Sequence, residues 1–185
     1  MKVVLVLVGL LAVYGKVELG VGLELGWEVQ GEDVHFKFYV PPELKESYGW
    51  AGIGIKDPAD GTGMANGDFV TVRFDGIIIE DRFGERNARP KLDTDKEGTD
   101  DIDELKTEGE EDGWVVYEWT RKLNTGDERD NPIEIGKETY IQWAYGEADG
   151  DTLKHHEEAG TYSVVFTESS EQTTSTPAAF ISFDK

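Results

Sequence analysis

The stretch Val17–Val29, VELGVGLELGWEV, alternates without a break. Val17, Leu19, Val21, Leu23, Leu25, Trp27 and Val29 fall on one side. Glu18, Gly20, Gly22, Glu24, Gly26 and Glu28 fall on the other. A period of two places successive side chains on opposite faces of an extended chain, so this is half-buried β structure. The glycines on the polar side predict bulges or a bend between sheets.

Working outward, the pattern repeats. Val34, Phe36, Phe38 and Val40 point inward against His35, Lys37 and Tyr39 until Pro41-Pro42 ends the run. Trp50, Ile53 and Ile55 form a strand that enters a loop dense in Gly, Asp and Pro, and Met64, one of two methionines, sits in that loop. Val70, Val72 and Phe74, an Asp75-Gly76 turn and Ile77–Ile79 read as a hairpin. Asp81–Pro90 is a polar segment, and Lys91–Gly113 is so rich in acids that it reads as a long surface loop with one helical turn near Ile102–Leu105. Strands resume at Trp114–Arg121, Thr139–Tyr145 and Thr161–Phe166, with Gly146–Gly160 as a polar excursion between the last two. Many short strands and no amphipathic helix of usual length predict an all-β, immunoglobulin-like antiparallel β-sandwich.

The domain reading is residues 1–15 as a signal peptide, 16–168 as the sandwich, and 169–185 as a Ser/Thr-rich C-terminal tail. MKVVLVLVGLLAVYG has one Lys, an apolar run too short to span a bilayer, and small residues at its end. A buried first strand is the competing reading. The expectation is a secreted chain, extracellular or lumenal, with no membrane span once the signal is removed.

A formal net charge of −21 argues against nucleic acid or an anionic membrane surface as partner and suits a basic protein face. With no cysteine, disulfides, cysteine-ligated zinc, iron–sulfur clusters and thiol catalysis are excluded. Three histidines and no G-x-S-x-G elbow leave no catalytic constellation, so the expectation is a binding or electron-transfer domain rather than an enzyme.

GWAGIGI (Gly49–Ile55), GTGMANGDFV (Gly61–Val70), the Asp81–Phe83 turn and the Pro90…Asp93…Asp101 acidic loop come in that order. WVVYEWTRKLNTGDERDNPI (Trp114–Ile133), IQWAYG (Ile141–Gly146) and LKHHEEAG (Leu153–Gly160) follow. In this order they resemble a DOMON domain, an extracellular β-sandwich module, over Trp27 to Phe166. Some members of that family resemble b-type cytochromes, with haem held by a loop methionine and a late histidine; others bind sugars or serve as structural modules without haem. The resemblance puts Met64 at the methionine and His156 at the histidine, with His155 able to take its place. Trp50 and Tyr145 would wall the macrocycle, and Lys154, Arg82, Arg86 or Arg89 would neutralise a propionate. Met/His ligation fills both axial positions, which implies electron transfer through haem b to a partner in trans. The alternative is a haem-free module for carbohydrate or a protein neighbour, or a structural subunit.

The acidic loop also offers Asp93-x-Asp95-x-Glu97-Gly98-x₅-Glu104, which resembles an EF-hand calcium loop. Glu97 is unusual at its place, Asp100 stands where an apolar residue belongs, and no helices flank it, so these acids indicate weak calcium binding rather than that geometry.

Overall fold

The computed structural model describes residues 15–76, 78–102 and 107–168. Residues 1–14 of the expected signal peptide, the expected tail 169–185 and Glu104 lie outside the described residues. So do residues 103–105 of the expected helical turn.

Among the described residues, eleven antiparallel strands form two sheets. One has the order β1 (Gly15–Glu18), β2 (Glu24–Gln30), β3 (Asp33–Val40), β9 (Trp114–Lys122) and β8 (Thr107–Glu111). The other has the order β11 (Thr152–Val165), β10 (Glu138–Asp149), β4 (Trp50–Lys56), β5 (Gly67–Arg73), β6 (Ile78–Gly84) and β7 (Lys91–Leu92). A six-residue helix, α1 (Pro42–Ser47), starts on the second proline of the pair that stops β3.

The core is what the alternation predicted. Trp27, Phe36, Phe38, Tyr117 and Trp119 from the first sheet meet Ile53, Ile55, Val70, Val72, Ile141 and Trp143 from the second. Phe36 stacks on Trp119 with ring centroids 5.4 Å apart, and Trp27 meets Phe166 at 5.1 Å. Burial of this many large apolar side chains, about 1.5–3 kcal/mol each, is the main force holding the sheets together.

Four expectations are corrected. Val17–Val29 is a hairpin, not an extended run with bulges or a bend between sheets: Val17 pairs with Leu25, and the chain reverses at Leu19–Leu23. Val21 sits in that turn with φ 51° and is exposed, while Gly20 is required because a Cβ there would run into the indole of Trp143. Asp81–Gly84 belongs to β6, because its backbone pairs with β5 whatever its side chains carry. Within the acidic stretch, Thr107–Glu111 forms edge strand β8, joined to β9 through a two-residue Asp112-Gly113 turn with φ of 51° and 88°. Its row of acids suits a sheet edge, where charge discourages further pairing. Finally, Gly146–Gly160 is not an excursion; β10 runs to Asp149 and β11 returns from Thr152 as one long hairpin.

Candidate functional site

The outward face of the six-stranded sheet carries the residues that the resemblance singles out. Along β4, Ala51, Ile53 and Ile55 enter the core, so Trp50, Gly52, Gly54 and Lys56 face out. Phe69, Thr71 and Arg73 of β5 and Gln142 of β10 share that side. Loops close over this face. Lys56 Nζ donates to the carbonyls of Gly63 and Ala65, and Gln142 Nε2 donates to Thr62 O at 2.6 Å. Arg82 Nη1 donates to Pro90 O at 3.1 Å, and Arg73 pairs with Asp151. Every residue of β4 and β5 is consequently buried, and desolvation lowers the Lys56 pKa.

Met64 lies in the loop 57–66, half-buried, with its carbonyl accepting from Gly67 N at 3.1 Å. That is the end of the sheet where Lys56 pairs with Tyr140. His156 pairs with Gly146, which in turn pairs with Trp50. Trp50 and Lys56 are six residues apart on β4, or about 20 Å at the strand rise of ~3.3 Å per residue. Met64 and His156 thus sit toward opposite ends of the sheet.

The two wall residues also part company. Tyr145 belongs to the core side, its ring 4.7 Å from that of Tyr48 and its hydroxyl donating to Glu158 at 3.3 Å. Trp50 faces out, with a buried Nε1 that has no partner. His155 is exposed, 4.2 Å from His156 between ring centroids, and its Nδ1 bonds the His156 carbonyl at 2.8 Å. Burial, then the neighbouring His155, lowers the His156 pKa. The residues present do not assemble a Met/His haem clip in this arrangement.

The Met64 loop is itself tightly seated. A Cβ on Gly84 would overlap the carbonyl oxygen of Met64 and crowd the Phe69 ring. Gly84→Ala is therefore expected to cost about 1–3 kcal/mol; a urea melt indistinguishable from wild type would show that the loop yields freely.

A second constellation lies inside the sandwich, at the end near this loop. Arg121 follows Tyr117 and Trp119 on the inward side of β9, its side chain 2% exposed, and Asp68 precedes Val70 and Val72 on the inward side of β5. Arg121 Nη1 donates to Asp68 Oδ2, and Nη2 donates to Asp130 Oδ2 at 3.5 Å and to Asn131 O at 3.3 Å. Asn131 N donates to Asp68 Oδ2 at 3.0 Å, and its side chain ties Ile55 O to Asn66 O. Asp81 of β6 accepts from Asp101 N at 3.0 Å. One carboxylate oxygen from each of Asp68, Asp81 and Asp130 lies within 4.8 Å of the others.

Burial is the leading cause of raised carboxyl pKa values across this cluster, followed by the repulsion of neighbouring carboxylates. Asp81 is pushed up to about 9, Asp93 to about 7 and Asp130 to about 6. For Asp130 the pull of Arg121 partly offsets the repulsion by Asp68.

Among the described residues, Asp93, Asp95 and Glu97 of the EF-hand-like motif are not gathered into one cluster. Asp93 opens a 3₁₀ turn (Asp93–Lys96) and is buried, while Asp95 and Glu97 are exposed, Glu97 with φ 66°. No helix flanks the segment among the described residues. Of the buried cluster, sequence reasoning picked out only Asp93 as a ligand. The available signal was phase: Asp68 and Arg121 both fall on the apolar side of their strands, where a charge demands a partner.

In comparison with known families, residues 22–146 fit the model of the DOMON domain. The matched span holds Met64, Trp50, Tyr145 and the whole Arg121 cluster, and stops short of His155 and His156. No curated protein matches the chain.

Proposed function

This chain belongs to the DOMON domain family, and on that premise we propose that it is a haem-free binding module for an extracellular or lumenal protein partner with a basic face. DOMON domains are haem- or ligand-binding modules. One observation carries the haem-free choice: the register of β4, β10 and β11 leaves Met64 and His156 at opposite ends of the sheet. The closed outward face supports it, since loops anchored by Lys56, Gln142, Arg82 and Arg73 cover that side of the sheet. A net charge of −21 favours docking to a cationic surface, faster at low salt. No helix of the described residues is long and apolar enough to cross a membrane.

The b-type cytochrome remains the second reading, because the resemblance puts a methionine at Met64 and a histidine at His156, whose lowered pKa favours the neutral, ligating imidazole. An absorption spectrum separates the two. Protein expressed with ample haem is expected to show no Soret band. A Soret band with a sharp reduced α-band, altered by both Met64→Ala and His156→Ala, would establish the cytochrome instead.

A further inference from the structure

We propose that Asp68, Asp81, Asp93 and Asp130 form a calcium site closed inside the end of the sandwich. The end of the sandwich holds unmatched charge. Four carboxylates are at most 8% exposed, and the one buried cation among them is Arg121. Its guanidinium binds Asp68 and Asp130 through their Oδ2 atoms only. Asp68 Oδ1, Asp130 Oδ1 and both oxygens of Asp93 are buried with no hydrogen-bond partner. A buried, unpartnered carboxylate oxygen costs several kcal/mol unless something positive meets it.

Donor chemistry selects the ion. Every available donor is a hard oxygen, and neither cysteine nor histidine stands near, which disfavours zinc and copper. Calcium takes six to eight oxygens at about 2.3–2.6 Å, so ligand atoms around it lie up to about 5 Å apart. The Asp68, Asp81 and Asp130 oxygens, none more than 4.8 Å from another, fit that sphere. Asp93 stands outside that trio, a buried carboxylate with both oxygens unpartnered whose charge is felt from Asp130 and Asp68. An ion here joins β5, β6, the Asp93 turn and the Asp130 loop, and so fastens the acidic segment to the sandwich. This site differs from the linear Asp93–Glu104 motif, sharing only Asp93 with it, and it does not depend on whether haem binds.

The test is calorimetric titration of EGTA-stripped protein with calcium chloride, and separately with magnesium chloride. One calcium per chain is expected, with magnesium at least tenfold weaker. Asp93→Asn should weaken calcium at least tenfold, whereas Asp95→Asn with Glu97→Gln should leave affinity within twofold. Should Asp93→Asn fail to fold, Asp130→Asn serves, with the wild-type melting temperature in calcium against EGTA as the variant-free readout. No saturable heat and no calcium-dependent rise in melting temperature would overturn the site. Equal magnesium affinity, or loss of binding only in the Asp95/Glu97 double variant, would overturn it as well.

Discussion

Arg121→Met should be among the most damaging single substitutions in this fold, costing about 3–5 kcal/mol in calcium-free buffer near neutral pH. Methionine matches the length of the side chain and loses little packing, so the loss is electrostatic. It strands Asp68 and Asp130, whose side chains are 0% and 2% exposed, beside the buried Asp81 and Asp93. Against a typical total stability of about 5–15 kcal/mol, that is a large share of the margin. Protonation should rescue the variant, since a neutral carboxyl needs no cation. Urea melts at pH 5 and pH 7.5 measure both effects. Lys137→Met makes the control: Lys137 pairs with Glu134 at 65% side-chain exposure, and its removal should change stability by less than about 0.5 kcal/mol. An Arg121→Met melt that overlays wild type at pH 7.5 would show that the cluster carries no net charge there.

The second large effect is an inverted pH profile. Asp130, Asp93 and Asp81 rise from an ordinary value of 3.8 to about 6, 7 and 9 in the folded state. A carboxyl whose folded pKa is raised holds its proton more tightly when folded, so its contribution is complete below about pH 4 and is lost as pH climbs through the folded value. Calcium-free protein should therefore lose stability steadily between about pH 5 and pH 9, by several kcal/mol at about 1.4 kcal/mol per unit of pKa shift. Asp127 is shifted the opposite way, its pKa lowered by bonds from Arg129 N, Thr99 N and the Thr99 hydroxyl against the opposing effect of burial. Its contribution is lost only below the ordinary carboxylate range, outside this window. Calcium competes with those protons, so saturating calcium should flatten or reverse the decline. Thermal melts at pH 5.5, 7.0 and 8.5, in EGTA and in calcium, test this. Stability in EGTA that stays level or climbs with pH would contradict the picture of a proton-holding cluster.

Much of the architecture was legible because side-chain phase along a strand is a local property. Val34, Phe36 and Phe38 could face only one way once the chain was extended, and the same held for Tyr117 and Trp119. Less legible were strands whose side chains do not advertise them. β8 is TEGEE, and the start of β11 carries Lys154, His155 and His156; both exist because their backbones complete a neighbour's hydrogen bonds. The hairpin inside Val17–Val29 was hidden because alternation continues through a turn whose Leu19 and Leu23 remain buried.

The amino-acid sequence by itself determined two sheets, the apolar side of most strands and membership of the DOMON family, since all of these rest on periodicity and on ordered short motifs. Tertiary structure alone decided what meets what. Met64 and His156 look like two halves of one clip in the chain, yet strand register sends them to opposite ends of a sheet. Asp68 and Arg121, 53 residues apart, look unrelated in the chain and form a buried pair. Period two says which side of a strand a residue takes, but not which strand lies opposite or in what register, and charges and ligands are matched only there.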